Sequence, residues 1–436
     1  MITNYWNPKA ETMSREGMRA LQGVRLANAV RRTYNSVPAY RKKMDNLGVE
    51  PGDIRSIEDI SKLPFVDKYD LADNYPFGLF AVPMSDIVEI HASSGTTGKQ
   101  KVLGYTRHDL EIWGEVMART LAAGGTTAAD IFHCSYGYGL FTGGLGAHYG
   151  SQTIGCTTVP VGTGNTNRQI QIIRDFGCTA ICCTPSYMLY IAETLEQMKV
   201  DPSEIKLRRA FLGAEPWTIE MRDDIERRLP LRTYDIYGLT EMIGPGVAFE
   251  CDARCGLHVN EDHFYPEIVD PDTLQPVEDG VYGELVFSTL TKEGMPLLRY
   301  RTRDIASVTH ETCECGRTLA RITKPRGRTD DMLIIRGVNV FPSQVESVLL
   351  GVAEASPYYF IIVDRVGSRD TFEIQVELTE GFPIDEVRAV EKLQKRIGAA
   401  IESALGIGAE IRLLPPHSLP RVEGKARHVE DRRNLK

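Results

Sequence analysis

The sequence has no hydrophobic run long enough to cross a bilayer, and residues 1–17, MITNYWNPKAETMSREG, lack the apolar core of a signal peptide. It also has no excess of positive charge, because its 50 Lys and Arg residues are outnumbered by 59 Asp and Glu residues. The resulting net charge of −9 gives no electrostatic reason to expect nucleic acid or an anionic membrane as a partner. We therefore predict a protein with no nucleic-acid and no membrane partner.

A disulfide framework is also missing from the sequence. The nine cysteines are odd in number and scattered over 436 residues, which argues against regular pairing. Reduced cysteines are typical of a reducing compartment, so we predict a cytoplasmic location. The sequence shows no internal repeat or low-complexity segment, and its length exceeds that of one typical core, which predicts two or more domains.

What the sequence does contain is an alternation of strand and helix patterns. Residues 15–45 have charged residues between apolar positions, as a helix does, and short apolar runs alternate with helical patterns between about 85 and 290. CTAICC, residues 178–183, has the pattern of a buried strand, and Thr184 and Pro185 after it are typical of a helix N-terminus. The alternation predicts an α/β fold in which helices pack on β-sheets.

The pattern changes near residues 327–331, GRTDD. Beyond this point YYFIIVDR, TFEIQVELTE and AEIRLL have the pattern of strands, and DEVRAVEKLQKRIGAAIESAL has that of an amphipathic helix. A segment of roughly a hundred residues is long enough to form a domain. We therefore predict a large domain at residues 1–328 and a small α+β domain at residues 329–436.

A loop rich in Ser, Thr and Gly, HASSGTTGKQKV, occupies residues 91–102. Its backbone N–H groups and hydroxyls are able to wrap a polyphosphate, and Lys99 and Lys101 add positive charge. The spacing is not that of a Walker loop, however. On composition alone, a polar connector between two strands remains an alternative to phosphate binding.

Three later stretches each contain a side chain suited to one part of a nucleotide. In YDIYGLTE, Thr240 offers a hydroxyl to a phosphate and Glu241 offers a carboxylate to Mg²⁺. In LLRYRTRDIA, Asp304 is suited to the diol of a ribose. GRTDDMLIIRGVNVFPSQVE, residues 327–346, opens with an arginine and two aspartates at the predicted domain boundary. These parts, in this order, indicate a nucleotide site.

Seven ordered stretches resemble the signatures of the adenylate-forming (ANL) acyl-CoA synthetase superfamily: SSGTTGK, YGYGLFTGG, GAEP, YGLTE, YRTRD, DDMLIIRGVNVFPSQVE and EGKAR. The residues of these stretches are most similar to those of the phenylacetate–CoA ligase family, and the resemblance extends from about residue 60 to the C-terminus. It implies a large N-terminal adenylate-forming domain of β-sheets packed with helices and a small, mobile α+β C-terminal domain. It also implies an AMP-forming ligase that joins an aryl carboxylic acid to coenzyme A through an acyl-adenylate.

The resemblance implies a nucleotide site built from several segments. The β- and γ-phosphates of ATP would be held by Ser93, Ser94, Gly95, Thr96, Thr97, Gly98 and Lys99. Glu241 would position Mg²⁺, and Thr240 would contact the α-phosphate. Adenine would be framed by Ala214, Glu215, Pro216, Asp235, Ile236 and Tyr237. Asp304 and Arg328 would hold the ribose hydroxyls.

The resemblance also implies the residues that act on the acid. Lys425, in PRVEGKAR, corresponds to the lysine that bridges the acyl carboxylate and the α-phosphate. Asp330 corresponds to the hinge about which the small domain turns. The segment YGYGLFTGGLGAHYG would line the acyl pocket, with Tyr136 and Phe141 in contact with the aromatic ring.

Simpler alternatives exist for these residues. Asp304 and Arg328 are also consistent with a surface ion-pair set, Lys425 with a solvated tail, and the glycines of residues 136–150 with tight helix packing. One residue departs from the family pattern. Arg303 stands where the motif commonly has glycine, so we expect a difference in the local backbone or in a phosphate contact.

Five soft ligands form a second group of candidate residues. ECDARCGLH contains Cys251, Cys255 and His258, and CECGR contains Cys313 and Cys315. Thiolate and imidazole suit tetrahedral Zn²⁺, but the spacing fits no standard zinc finger, and reduced cysteines near a turn are an alternative. The resemblance favours a structural Zn²⁺ bound by Cys251, His258, Cys313 and Cys315, with Cys255 left over.

The predicted ligase would use ATP, Mg²⁺ and coenzyme A, with an aryl carboxylic acid as substrate. Two other functions remain open on the sequence: an adenylyltransferase-type relative with a non-CoA acceptor, and a non-catalytic nucleotide-binding homologue. The N-terminal helical region is able to support a homodimer.

Overall fold

The computed structural model describes residues 4–93, 100–329, 333–335, 338–366, 369–384, 386–421 and 428–433. The chain forms two compact units. The first comprises Met1–Cys183, Val200–Ala214 and Pro230–Lys324, and the second comprises Thr184–Lys199, Glu215–Leu229 and Pro325–Lys436. The division into domains at residues 1–328 and 329–436 stays a prediction.

The first unit begins with helices. The helical pattern predicted for residues 15–45 is interrupted at Pro38, which has no N–H to continue the preceding helix and instead begins the next one. The helices of this unit are α1 Pro8–Glu11, α2 Arg15–Ser36, α3 Pro38–Leu47, α4 Lys68–Asp73, α5 Arg107–Ala123, α6 Thr142–Ile154 and α7 Thr166–Phe176.

A nine-stranded sheet forms the centre of the first unit, in the order β13-β14-β9-β8-β7-β6-β5-β3-β4. Its strands are β3 Ile131–Cys134, β4 Thr157–Pro160, β5 Ala180–Cys183, β6 Arg209–Gly213, β7 Arg232–Leu239, β8 Gly244–Glu250, β9 Leu257–Val259, β13 Val308–Thr309 and β14 Arg321–Ile322. From β7 to β4 the strands are parallel, while β8, β9, β14 and β13 continue the sheet in antiparallel pairs. Every residue of β5 is buried, as the predicted buried strand requires.

Two smaller sheets complete the first unit. β1 Glu89–Ser93 and β2 Lys101–Tyr105 form an antiparallel pair in which Ser93 lies opposite Lys101. β10 Phe264–Val269, β11 Gly283–Thr289 and β12 Tyr300–Ala306 form an antiparallel three-stranded sheet.

The second unit contains a four-stranded sheet in the order β19-β18-β17-β20 and a short hairpin, β15-β16. Its elements are α8 Pro185–Gln197, α9 Ile219–Arg228, β15 Leu333–Ile335, β16 Val338–Val340, α10 Pro342–Leu350, β17 Ala355–Val366, β18 Arg369–Leu378, α11 Val387–Leu405, β19 Glu410–Leu414 and β20 Val429–Asp431. The strands and the amphipathic helix predicted beyond residue 331 are confirmed, because β17, β18, α11 and β19 lie in those stretches. One face of α11 is buried against the sheet through Leu393, Ile397 and Ile401.

Strands and helices thus combine as the predicted α/β class requires. Among the described residues, no helix has both the length and the hydrophobicity needed to cross a membrane.

Candidate functional site

The carboxyl edge of the parallel strands carries several of the predicted site residues. Tyr136 comes shortly after β3, Ala214 directly after β6, and Thr240 and Glu241 directly after β7. Because the carboxyl ends of parallel strands meet at one edge of a sheet, these residues lie along the same edge. In open α/β sheets, ligands bind outside this edge. The fold therefore provides a candidate site where the sequence predicts one.

Glu241 supplies a buried carboxylate at this edge, with only 7% of its surface exposed. Its side chain forms an ion pair with Lys101, and its Oε1 accepts a 3.0 Å hydrogen bond from Tyr300 Oη. Burial opposes ionisation, but the Lys101 ammonium outweighs it and lowers the pKa of Glu241 below its usual range. Glu241 is therefore ionised at neutral pH, as a carboxylate ligand of a divalent cation must be.

The turn that carries Thr240 is held from two sides. Thr240 is buried, and its Oγ1 lies 3.2 Å from the Oγ1 of Thr142, the first residue of α6. Tyr105, at the end of β2, donates a 3.2 Å hydrogen bond from its hydroxyl to the carbonyl oxygen of Ile243. These contacts fix the Thr240 and Glu241 side chains against the strands that surround them.

Ala214 has an unusual backbone conformation, with a φ of 70°. Residues other than glycine seldom adopt this left-handed region, which costs about 1–2 kcal/mol per residue. Strain of this kind is often found where a loop must present its backbone to a ligand. The conformation of Ala214 supports a functional role for the segment that the sequence assigns to adenine.

Tyr237 and Asp304 bring the predicted adenine and ribose contacts together. Tyr237 Oη donates a 2.5 Å hydrogen bond to Asp304 Oδ2, and Asp304 is buried in β12. In the same strand as Tyr237, Asp235 forms a 3.1 Å ion pair with Lys324 Nζ, and Ile236 is buried in the core. The alternative of a surface ion pair therefore does not apply to Asp304.

Arg303 has a φ of 71°, in the same left-handed region as Ala214. The backbone here thus takes a conformation that favours glycine, although the side chain is arginine. Its guanidinium lies 3.5 Å from an Asp67 carboxylate oxygen and 3.6 Å from one of Glu284. Compared with glycine, Arg303 therefore adds a positive charge that lies between the Asp67 and Glu284 carboxylates.

The two aromatic residues predicted for the acyl pocket meet around Gly143. A Cβ added at Gly143 would lie 2.8 Å from Phe141 Cε1 and 3.4 Å from Tyr136 Cγ. Tyr136 is buried, and its hydroxyl donates a 2.7 Å hydrogen bond to the carbonyl oxygen of Cys183. Phe141 is 44% exposed, so its ring is the more accessible of the two.

Other glycines of residues 136–150 serve the alternative role of helix packing. A Cβ added at Gly146 would lie 2.6 Å from Trp113 Nε1, and one at Gly150 would lie 2.4 Å from Met117 Cβ. Trp113 and Met117 both belong to α5. The glycines therefore allow α6 to pack closely on α5, while Gly143 lies against the rings of Phe141 and Tyr136.

The second unit contains three further predicted nucleotide contacts. Glu215 Oε1 accepts a 2.7 Å hydrogen bond from the backbone N–H of Ser186, in the first turn of α8. Glu215 and Pro216 line a cleft of this unit together with Tyr359. Arg328 is partly buried in the same unit.

Some predicted site residues lie outside the described residues. They are Ser94, Gly95, Thr96, Thr97, Gly98 and Lys99 of the predicted phosphate loop, the predicted hinge Asp330 and the predicted catalytic Lys425. Ser93 is the last residue of β1. Its pairing with Lys101 brings the two ends of the predicted loop together.

The structure brings together the four residues predicted to bind Zn²⁺. Cys251, His258, Cys313 and Cys315 are all buried, and their ligand atoms lie within 4.8 Å of one another. The Cys251 and Cys313 sulfurs are 3.8 Å apart, and His258 Nε2 lies 3.4 Å from the Cys251 sulfur and 3.5 Å from that of Cys315. Tetrahedral zinc would place its sulfur and nitrogen ligands roughly 3.6–3.8 Å apart. The spacing of the four residues therefore fits this metal.

The pKa shifts of two of the four residues, Cys315 and His258, favour the forms that bind a metal, whereas the neighbouring Cys315 and burial raise the pKa of Cys251 and burial raises the pKa of Cys313. The hydrogen bond from Cys251 lowers the pKa of the Cys315 thiol to about 2, and burial lowers the pKa of His258. A thiolate and a neutral imidazole are the forms that bind zinc. Cys255 is exposed, although its sulfur lies 3.3 Å from that of Cys313, and it accepts a 2.8 Å hydrogen bond from Arg321 Nη1. It stands outside the buried set.

Comparison with known proteins places the chain in a family. The sequence profile of AMP-binding enzymes matches residues 47–291, and that of the AMP-binding enzyme C-terminal domain matches residues 337–433. The phenylacetate-coenzyme A ligase of Thermus thermophilus is 49% identical over 98% of this chain and 99% of its own length. The phenylacetate-coenzyme A ligase of Escherichia coli K12 is 48% identical over 100% of this chain and 99% of its own. The chain belongs to the phenylacetate–CoA ligase family.

A solved structure agrees with this membership. A 2-hydroxyisobutyryl-CoA ligase, in the postadenylation state in complex with R3-HIB-AMP, has a TM-score of 0.92 to this chain at 28% identity. The match covers 98% of this chain and 92% of that one. The predicted fold class is confirmed.

Three residues of this phenylacetate–CoA ligase family member adjoin the site although none of them is among the predicted site residues. Lys101 and Tyr300 both contact the Glu241 carboxylate. Lys292 Nζ lies 4.6 Å from the centre of the Tyr105 ring and donates a 3.4 Å hydrogen bond to the Glu241 carbonyl oxygen, and burial lowers its pKa to about 8. The sequence contained a signal for two of these residues: Lys101 adds charge to the predicted phosphate loop, and Tyr300 belongs to the YRTRD motif. It contained no signal for Lys292.

Proposed function

We propose that the chain is an AMP-forming aryl-acid–CoA ligase that converts ATP, an arylacetate and coenzyme A into aryl-acyl-CoA, AMP and diphosphate. The observation that carries this proposal is the buried, ionised Glu241 paired with Lys101 beside Thr240, at the carboxyl edge of the sheet. The curated relatives, nearly half identical over almost the full chain, are phenylacetate-coenzyme A ligases. Phenylacetate is therefore the first acid to test.

In the first half-reaction, a carboxylate oxygen of the acid attacks the α-phosphorus of ATP. A new P–O bond forms, the bond to the diphosphate breaks, and an acyl-adenylate remains. Both reactants are anions, so positive groups must stabilise the charge that builds up on the phosphorus oxygens. We assign Lys425 to bridge the acid carboxylate and the α-phosphate, and Thr240 to donate its hydroxyl to that phosphate.

The phosphates need further positive charge and hydrogen-bond donors. We assign the loop Ser93–Lys99 to the β- and γ-phosphates, because its Ser, Thr and Gly residues offer hydroxyl and backbone N–H donors. The Glu241 carboxylate fits Mg²⁺, which when bound neutralises charge on the phosphates. Lys101 and Tyr300 hold this carboxylate in place.

We assign the nucleoside half of ATP to residues from several segments of the chain. We assign Ala214, Glu215 and Pro216, together with the β7 residues Asp235, Ile236 and Tyr237, to adenine. Asp304 would accept hydrogen bonds from the ribose hydroxyls, and Arg328 would join it. The hydrogen bond from Tyr237 Oη to Asp304 Oδ2 orients this carboxylate.

The ring of the acid would lie against Phe141 and Tyr136. Gly143 leaves room for both side chains, since a Cβ there would lie only 2.8 Å from Phe141 Cε1 and 3.4 Å from Tyr136 Cγ. The exposed Phe141 would provide the contact face, while buried Tyr136 supports it from behind.

In the second half-reaction, the thiol sulfur of coenzyme A attacks the acyl carbon, and AMP leaves. Lys425 has no further role at this step. We propose that the small domain turns about Asp330, withdrawing Lys425 and presenting the surface that guides the thiol.

The cysteine and histidine set would hold a structural Zn²⁺. Four protein ligands leave no open position for a substrate, which argues for a structural role. The site would tie the segment after β8 to the segment that carries Cys313 and Cys315. We also propose a cytoplasmic location, which the nine free cysteines support, and a homodimer formed through the N-terminal helices.

A diphosphate-release assay with aryl and aliphatic acids tests the proposal. Release should depend on the acid and be fastest with phenylacetate or a close aryl analogue. AMP release should in addition require coenzyme A. Acid-dependent diphosphate release without thiol-dependent AMP release would instead indicate an adenylyltransferase, and nucleotide binding without either would indicate a non-catalytic homologue.

A further inference from the structure

His91 is fully buried in β1, two residues before the predicted phosphate loop. Its Nδ1 lies 3.0 Å from the carbonyl oxygen of Leu140, and its Nε2 lies 2.6 Å from Glu89 Oε1. The other Glu89 oxygen accepts a 2.5 Å hydrogen bond from Tyr149 Oη. Both ring nitrogens of His91 are therefore engaged within the protein.

The direction of these hydrogen bonds follows from the partners. A carbonyl oxygen only accepts, so Nδ1 must donate to Leu140. Burial opposes ionisation of Glu89, yet the hydrogen bonds from His91 and Tyr149 lower its pKa, so it too acts as an acceptor. His91 thus donates from Nδ1 to Leu140, while its Nε2 faces the Glu89 carboxylate.

The Leu140 carbonyl is held by β1 at two points. Besides the bond from His91, it accepts a 2.9 Å hydrogen bond from the backbone N–H of Ala92. Leu140 and Phe141 have exposed side chains and directly precede α6. The Leu140 carbonyl thus anchors the Leu140–Phe141 segment to β1, while the side chains of this segment are exposed.

The His91 ring is itself held in place by aromatic neighbours. It stands edge-on to Tyr105 and to Trp113, with ring centres 5.4 and 5.5 Å away, and these two rings stack on each other at 5.2 Å. Tyr105 also supports the turn of Thr240 through its bond to Ile243. One buried cluster therefore touches the phosphate-loop strand, the Leu140 segment and the catalytic turn.

We propose that His91 is a positioning residue for the aryl acid: its Nδ1–H fixes the Leu140 carbonyl and so sets the place of the Phe141 ring relative to β1. The proposal rests on the proposed ligase function and deepens it. His91 acts through Leu140 and Phe141 and does not itself touch the acid. Its loss should weaken use of the acid much more than use of ATP.

Two substitutions separate the two nitrogens of His91. In His91→Asn the side-chain amide reaches roughly the position of Nδ1 and is able to donate to Leu140, whereas in His91→Gln it reaches that of Nε2 and Glu89. We expect His91→Gln to raise the KM for phenylacetate about tenfold, as for the loss of one buried hydrogen bond, with the KM for ATP changed by less than about twofold. His91→Asn should restore the KM for phenylacetate to within about threefold of wild type.

Thermal unfolding of each variant shows whether it folds. Tyr149→Phe is a milder variant, because it removes one hydrogen bond to Glu89 and leaves His91 in place. It should raise the KM for phenylacetate by about threefold. Equal effects of His91→Asn and His91→Gln on this KM, or an equal rise in the KM for ATP, would overturn the proposal. If wild-type protein releases no diphosphate, the ligase proposal fails, and calorimetry of phenylacetate binding still ranks the variants. If phenylacetate does not bind wild type at all, both proposals fail.

Discussion

Tyr237 Oη lies 2.5 Å from Asp304 Oδ2, so a residue of the central sheet orients a carboxylate of the neighbouring three-stranded sheet. The two residues are 67 positions apart in the sequence. The bond engages one of the two carboxylate oxygens of Asp304. This bond therefore predicts that a substitution of Tyr237 has the same kind of effect as a substitution of Asp304, but a smaller one.

Asp304→Ala should raise the KM for ATP by about tenfold or more, because the ribose hydroxyls lose a charged acceptor. Wild type should use 2′,3′-dideoxy-ATP much less well than ATP, and the variant should no longer distinguish the two. Tyr237→Phe should give a smaller rise, since Asp304 remains. Steady-state kinetics with both nucleotides provides the measurement, and undiminished discrimination in Asp304→Ala would exclude the ribose contact.

Lys425→Ala should reduce acyl-adenylate formation by ~10²-fold or more, because a positive charge is lost from the transition state. Thioester formation from synthetic acyl-adenylate should change much less. The two half-reactions are measured separately by quenched-flow analysis of the adenylate and by CoA-dependent AMP release. An equal loss in both would rule out the assigned role.

Gly143→Ala and Gly146→Ala test the two roles of glycine in α6. At Gly143 the added Cβ meets the rings of Phe141 and Tyr136, so the KM for phenylacetate should rise several-fold while stability changes little. At Gly146 it meets Trp113 and Pro245, so the free energy of unfolding should fall by about 1–3 kcal/mol. Chemical denaturation and kinetics on both variants decide the matter. The reverse pattern would contradict the assignment of Gly143 to the acyl pocket.

The predicted metal site is tested by zinc content. Wild-type protein should carry about one Zn²⁺ per chain, and Cys313→Ser should lose it together with stability. Cys255→Ser is the matched control, because Cys255 adjoins Cys313 but is exposed. It should keep its zinc. Metal-free wild-type protein of full stability would remove the zinc proposal.

His263 predicts a pH dependence of stability. Its Nδ1 lies 2.8 Å from Thr291 Oγ1 and its Nε2 lies 3.2 Å from Asp262 Oδ2, and burial lowers its pKa to about 3. Below an unfolded-state pKa of about 6.5 the unfolded chain binds a proton that the folded protein does not, so stability falls as the pH falls. The advantage of wild type over His263→Gln should shrink by about 2 kcal/mol between pH 7 and pH 5. Urea denaturation at both pH values measures it, and an advantage independent of pH would show that His263 titrates normally.

Local patterns predicted those parts of the site that lie within one stretch of sequence. Thr240 and Glu241 follow a strand whose pattern is clear, and the residue types of the cysteine and histidine set already favoured zinc. The ion pair of Lys101 with Glu241 spans 140 positions and depends on the order of strands, which composition does not determine. The left-handed conformation of Ala214 was equally unpredictable, because propensity disfavours it for alanine, whereas the glycine common at position 303 had already drawn attention to the backbone of Arg303. The aromatic cluster around His91 likewise exists only once β1 and α5 pack together.

The order of strands also separates the residues proposed to bind the acid from those proposed to act on the phosphates. Tyr136 and Phe141 follow β3, whereas Thr240 and Glu241 follow β7, and β5 and β6 lie between them. The two segments meet where Thr142 Oγ1 touches Thr240 Oγ1 at 3.2 Å. Residues 136–141 could thus be replaced by the corresponding loop of a ligase with a different acid preference. We expect the substrate to change, while the flanking residues Ser135 and Thr142 keep their present contacts. Ligases for new aryl acids could be engineered on this scaffold by exchanging a single short segment.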